Sequence, residues 1–234
     1  RFKDASDFTF ILVGNVDVEA VKPLIRVLSG SLPSINRKET FKDNHIAMRK
    51  GICKNEFIRQ QETPKVNNFI CYSGTCKYNL RNEILMSMTD QLLNFIYTER
   101  YVKTKAVPTA YIPWDSSSSI PQKKPFCRSS STQLPINRKT DKIIYDEAEA
   151  FAKNGPDEAS LNKVKEYMLK KHSEDLKENG YWLNSIDEYL YTGIDPVKDY
   201  EQIINSITPR TFSNLPTELL KQKNQITVSM IQSE

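Results

Sequence analysis

Lys65 to Ile96 reads KVNNFICYSGTCKYNLRNEILMSMTDQLLNFI. Its first part, Lys65 to Ser73, has the β-rich apolar clustering of a strand. Asn79 then offers a capping side chain, and Leu80, Ile84, Leu85, Met88, Leu92, Phe95 and Ile96 recur at helical spacing. A strand followed by a strong amphipathic helix is therefore expected here.

Working outward, Met48 to Gln60 also reads as a strand. Gln225 to Ile231 alternates Ile226, Val228 and Met230 with polar residues, as a final half-buried strand does. Between them lie helices. Lys139 to Asn154 turns Ile143, Ile144 and Phe151 inward and stops at Asn154-Gly155-Pro156. Asp157 starts a long helix through about Lys177, broken by Asn179-Gly180. Trp182, Leu183, Ile186 and Leu190 mark another, ended by Gly193, and Tyr200, Ile203, Ile204 and Ile207 one more. On the N-terminal side, Phe8 to Val13 (FTFILV) is a continuous apolar run and predicts a buried strand. Asp17 caps a helix with Val21, Leu24, Ile25 and Leu28 on one face. Its regular part is expected to start near Pro23, because proline is costly mid-helix. The pattern is α+β, with helices clustered in the second half.

The chain has 234 residues, room for one full domain or one domain plus a fragment. It begins with Arg1 close to a strand, so an excised piece of a longer protein is expected, with any signal peptide upstream. No run reaches the ~18 apolar residues of a membrane span. Four cysteines, Cys53, Cys71, Cys76 and Cys127, are too scattered for a disulfide scaffold. The net charge of +4 suggests nucleic acid, but residues 101–136 carry all of the excess and the rest of the chain is balanced. A nucleic-acid surface needs clustered charge on an ordered face, which disfavours a basic binding module. Residues 101–136 also hold five of the twelve prolines, seven serines and no glycine or glutamate. They are not expected to form core strands.

No residue set supports a reaction by itself. His45 and His172 have no second His or Cys at ligand spacing and read as solvated surface groups. Cys71 and Cys76 have the wrong spacing for a redox or zinc pair and read as buried or incidental thiols. Asp187 and Glu188 read as the solvated face of a helix. No G-x-S-x-G, P-loop or G-x-G-x-x-G occurs.

Phe8 to Ser34, FTFILVGNVDVEAVKPLIRVLSGSLPS, closely resembles the strand–turn–helix that closes a domain in the insulinase/pitrilysin-like zinc metallopeptidases. KVNNFICYSG with YNLRNEILMSMTDQLLN resembles the opening of the next domain. KNGPDEASLNKVKEYMLKKHSEDLKENGYWLNSIDEYLYTG resembles that domain's paired helices, and LLKQKNQITVSM its last strand. The resemblance implies a mixed or antiparallel sheet flanked by helices. It also implies a division into a strand–helix tail of the preceding domain (residues 1–33), a linker (34–44) and the C-terminal peptidase domain (45–234).

The same resemblance implies that the parent is a bacterial zinc endopeptidase. Zinc would sit in its N-terminal catalytic half on an inverted H-x-x-E-H motif, which this sequence lacks. This chain would then hold no catalytic residue and no metal. Its partners would be that catalytic half and a peptide substrate, with no nucleic acid and no membrane span. A non-catalytic partner subunit of the same family is the alternative, and a Gram-negative parent would favour the periplasm or cell envelope. The family's C-terminal domain typically supplies an Arg and a Tyr that bind substrate and stabilise the tetrahedral intermediate. That motif should follow Thr98-Glu99-Arg100, at about Tyr101 to Tyr111, and is absent as written. Back-translated and shifted in frame with permitted wobble bases, Tyr101 to Tyr111 reads R-E-D-E-G-G-T-Y-G-V. Ser119 to Gln133 can read Y-P-x-E-E-A-F-L-Q-I-F-F-D-T, and Arg210 to Thr217 permits D-L-Q-Q-F-A-N. Compensated frameshifts, in the gene or in the recorded sequence, are the expectation, and a divergent loop is the alternative.

Overall fold

A computed structural model describes residues 3–38, 40, 49–60, 66–104, 110–118, 126–134 and 138–232. The elements in chain order are α1 (Val18–Leu28), β1 (Ile52–Arg59), β2 (Val66–Thr75), α2 (Leu80–Thr104), β3 (Ala110–Ser118), β4 (Phe126–Leu134) and α3 (Arg138–Asn154). They continue with α4 (Glu158–Asp175), α5 (Asn179–Thr192), α6 (Tyr200–Ser206), α7 (Pro209–Phe212), α8 (Asn214–Lys221) and β5 (Asn224–Gln232). The chain divides into two units. One comprises Arg1–Ile46 with Lys171–Lys198, the other Ala47–Lys170 with Asp199–Glu234.

The larger unit is built on a five-stranded sheet of order β1-β5-β2-β4-β3. β1 lies parallel to β5 and the other neighbours are antiparallel, so the sheet is mixed and the fold α+β, as the sequence implies. The register pairs Ile70 with Thr227 and Tyr72 with Gln225, placing these four on one face. Helices cover that face: the Tyr145 hydroxyl of α3 lies 3.0 Å from Thr227 Oγ1. α8 comes so close to β2 that a Cβ at Gly74 would stand 2.7 Å from Leu219 Cδ2, so a larger residue there would have to push that side chain aside. The core joins Ile70 to Ile84, Leu85, Met88 and Leu92 of α2, Phe151 of α3, and Leu161, Val164 and Met168 of α4. Met86, Leu93 and Tyr97 of α2, with Ile204, Ile207, Phe212 and Leu215, complete it. On β5 the polar Thr227 and Ser229 are the buried residues, while Ile226, Val228 and Met230 are half-buried on the opposite face.

α4 starts as its sequence predicts. Asp157 accepts from Ser160 N at 2.9 Å and from Ser160 Oγ at 2.6 Å. The Ser160 hydroxyl, then its amide, hold the Asp157 carboxyl below its ordinary pKa of 3.8. Asp157→Ala should lower stability by about 1 kcal/mol at neutral pH. A depressed carboxylate contributes stability that is present above the unfolded pKa and lost as pH falls through the folded one. The gap between the two proteins should therefore narrow below about pH 4; denaturant titrations at several pH values would show it, and a gap independent of pH would contradict it.

Two expectations are corrected. Residues 101–136 do contribute strands: β3 pairs with β4, and β4 with β2. Prolines are tolerated there because of where they fall. Pro121 and Pro125 fall between β3 and β4 in sequence, Pro108 before β3 and Pro135 after β4, all four outside the described residues. Pro113 sits in β3 at the end of the sheet order, where the register with β4 shifts between Ile112 and Asp115. Edge strands and irregular registers are where proline costs no ladder bond. The second correction concerns Phe8 to Val13, which pairs with no strand among the described residues. Phe10 and Leu12 are 53 % and 55 % exposed. A strand needs a ladder partner for its backbone groups; here Phe8 N donates instead to Ala5 O at 3.1 Å, and only Ile11 and Val13 are half-buried. α1 follows with Asp17 Oδ1 accepting from Glu19 N and Ala20 N. It begins at Val18, so Pro23 lies within it rather than at its start, and none of its residues is buried.

Candidate functional site

The stretch where the Arg/Tyr motif is expected, Tyr101 to Tyr111, joins α2 to the sheet. Tyr101 to Thr104 form the last turn of α2, residues 105–109 lie outside the described residues, and Ala110 and Tyr111 open β3 opposite Gln133 and Thr132. A motif here would hang between the central helix and an edge strand. The side chains present over residues 101–111 include two lysines, Lys103 and Lys105, and two tyrosines, Tyr101 and Tyr111, but no arginine and no carboxylate.

The larger unit also holds a small, mostly apolar pocket of about 60 Å³. Its walls are Tyr72 and Ser73 of β2, Met86 and Leu93 of α2, Phe151 of α3 and Leu219 of α8, with further apolar neighbours. No charged side chain lines it. Burial, and then the nearby Tyr145 and Glu149, push the Tyr72 phenol well above its ordinary range. Tyr72 therefore stays protonated and can donate a hydrogen bond, but cannot act as a base near neutral pH. Gln225 Nε2 donates to Thr227 Oγ1 at 3.2 Å, so the polar groups next to the pocket are engaged with one another. The pocket can take an apolar group and offers no proton-transfer chemistry.

In the smaller unit the structure overturns the surface reading of His172. Its side chain is 5 % exposed, with Nδ1 3.2 Å from the Tyr181 hydroxyl and the two rings edge to face at 5.8 Å. Burial raises the Tyr181 pKa; the Ser185 hydrogen bond pulls the other way, and Asp175, Asp195 and Glu188 add to the rise. Trp182 Nε1 donates to Leu176 O at 2.8 Å, closing the turn between α4 and α5. A signal was available in the sequence. Leu161, Val164, Met168 and His172 fall at steps of three, four and four, all four are buried, and His172 continues the inward stripe of α4. The polar neighbours in Lys171-His172-Ser173-Glu174 hid it.

The other sequence candidates stay apart. His45 lies outside the described residues. Cys71 is fully buried on β2 and Cys76 is half-buried. Asp187 is exposed on α5, whereas Glu188 is half-buried rather than solvated, on the face of that helix that turns inward with Ser185. Among the described residues no three His, Cys, Asp or Glu side chains gather as metal ligands. Among the described residues the donors do not gather into the roughly three protein ligands that a catalytic zinc needs. Both histidines stand alone in sequence, and His172 Nδ1 faces a tyrosine hydroxyl.

No protein-family model matches the chain, and no curated protein does. Solved structures do. The chain superposes on a protease from Helicobacter pylori with a TM-score of 0.75 at 15 % identity, with 93 % of this chain on 54 % of that one. On the periplasmic protease PqqL from Escherichia coli the score is 0.74 at 14 % identity, 94 % on 25 %. On a peptidase M16 inactive domain from Pseudomonas fluorescens it is 0.71 at 13 % identity, 94 % on 53 %. The chain thus spans about half the length of two of these proteins and a quarter of the third. At such identities the likeness establishes the fold, which is that of the M16, insulinase-like peptidase domains.

Proposed function

We propose that the chain is the C-terminal, substrate-contacting domain of a bacterial zinc-dependent endopeptidase, forming chamber wall for a separate catalytic half. The supporting observation is the pairing of an M16 fold over 93–94 % of the chain with a sequence that contains no H-x-x-E-H motif. In this reading residues 1–33 belong to the preceding domain, 34–44 are a linker and 45–234 are the domain proper. The catalytic half supplies the metal-activated water, and this chain supplies peptide contacts around the α2–β3 junction. The parent would act in the periplasm or cell envelope, as PqqL is a periplasmic protease.

A non-catalytic partner subunit is the second reading, favoured by the match to an M16 domain described as inactive. The sequence encoded upstream separates the two: H-x-x-E-H there supports the enzyme, and its absence supports the partner. The chain on its own should hydrolyse no peptide and retain no stoichiometric zinc after dialysis. One tightly held zinc per chain, or peptide cleavage that survives further purification, would overturn the assignment.

A further inference from the structure

The sheet ends in an exposed edge whose sequence is complementary to itself. β1, Ile52–Arg59 (ICKNEFIR), has β5 as its one ladder partner among the described residues, in unbroken register from Ile52↔Gln225 to Arg59↔Gln232. Its side chains are exposed except for the half-buried Cys53. Ile52 and Ile58 stand 68 % and 71 % exposed. The strand carries no proline and no irregularity, two of the usual devices that discourage edge pairing.

The hydrogen-bond phase of β1 is set by its partner. Gln225 N donates to Gly51 O at 3.0 Å, so Gly51 and the residues in phase with it, Cys53, Asn55, Phe57 and Arg59, turn their backbone groups towards β5. Ile52, Lys54, Glu56 and Ile58 turn theirs outward, to the open edge. An antiparallel second copy centred on Asn55 matches this phase. Lys54 then faces Glu56 of the second copy, Ile52 faces Ile58, and Cys53 faces Phe57. Each outward N–H and C=O of Ile52, Lys54, Glu56 and Ile58 finds its counterpart. The flanking in-phase registers lack this property. Centring on Lys54 opposes two lysines, and centring on Glu56 opposes two glutamates.

We propose that β1 is a self-association edge, on which a second copy of this chain adds antiparallel about Asn55 to make one continuous sheet across two molecules. The charges at positions 54 and 56 select this register and reject its neighbours, since opposite charges across strands attract and like charges repel. The occupant is a second copy because the complementarity is of the strand with itself.

The test uses the full chain in sedimentation equilibrium over a concentration series, with Lys54→Glu, Glu56→Lys and the double exchange. The wild-type protein should form a dimer of twice 27.0 kDa. Each single exchange should weaken it roughly tenfold, because two symmetry-related attractive pairs become repulsive. The double exchange should restore it. All these positions are exposed, and unchanged circular dichroism confirms folding. Asn55→Cys should form an intermolecular disulfide under mild oxidation that the wild type does not, as facing non-hydrogen-bonded residues bring Cβ atoms within bridging reach. A chain monomeric at every concentration reached, a dimer indifferent to the single exchanges, or one that Asn55→Cys fails to cross-link would overturn the proposal. So would a monomer whose β1 amides gain exchange protection only when an unrelated extended peptide is added, which would assign the edge to peptide capture.

Discussion

Phe212→Ala should remove about 3–5 kcal/mol of folding stability, a large part of what a domain of this size has. Phe212 is fully buried, and its ring meets Phe151 edge to face at 5.6 Å and 75°. It sits at the end of α7, a four-residue helix held by a capping box between Thr208 and Thr211. That short element carries little stability of its own, so α7 is kept in place by the side chain it delivers. Truncation deletes the aromatic contact with Phe151 and leaves a void in a close-packed core whose walls come from several helices, which limits collapse. The melting temperature should fall by roughly 10 °C. A fall of a degree or two would mean that the site closes up, or that the α3–α7 packing described here is wrong. Phe212→Leu, which keeps most of the volume, should recover over half of the loss.

The second large effect concerns catalysis and rests on the proposed function. In the reconstituted peptidase, replacing Tyr101 to Tyr111 by R-E-D-E-G-G-T-Y-G-V should raise turnover by about 10²–10³-fold or more. The change introduces two preorganised donors where the substrate carbonyl develops charge, and one such donor is worth about that much. The effect should appear in kcat more than in KM, because the donors act on the transition state. The junction can accept the change: α2 ends at Thr104 and β3 starts at Ala110, so the replaced residues span a helix end and a strand start rather than the core of either. Equal cleavage by the two proteins would defeat both the shifted-frame reading and the role assigned to this domain.

Much of the fold was legible because β2 and α2 carry strong local signals. A β-rich run and an apolar stripe at helical spacing are buried as such, with Ile70, Ile84, Leu85, Met88 and Leu92 all in the core. Phe8 to Val13 failed for the opposite reason. Apolar composition marks a segment that can be buried, but burial needs a partner, and pairing is not a local property. Residues 110–134 failed because serine and proline counts do not say where each residue falls. One proline inside a strand at an irregular edge is tolerable, and the others fall outside β3 and β4 in sequence. On β5 the alternation was legible and its sense was not, for the helices cover the side of Thr227 and Ser229. The site was the least legible part. His172 was obscured by charged neighbours, and the Arg/Tyr motif that the resemblance leads one to expect is absent from the sequence as written.

The place of β5 in the sheet bears on how this protein is made. β5 lies between β1 and β2, yet it is the last strand in the chain. The hydrogen bond from Gly51 N to Asn224 Oδ1 spans 173 residues, and that from Thr75 N to Gln222 Oε1 spans 147. Contacts of such separation form late, after the cost of closing long loops has been met. At about 5–20 residues per second, translation leaves β1 without its neighbour for roughly 10–35 s. During that interval the nascent chain presents β1 with both edges unpaired and β2 with its β5 side open, and in a crowded polysome these are the surfaces that neighbouring nascent chains and chaperones meet first.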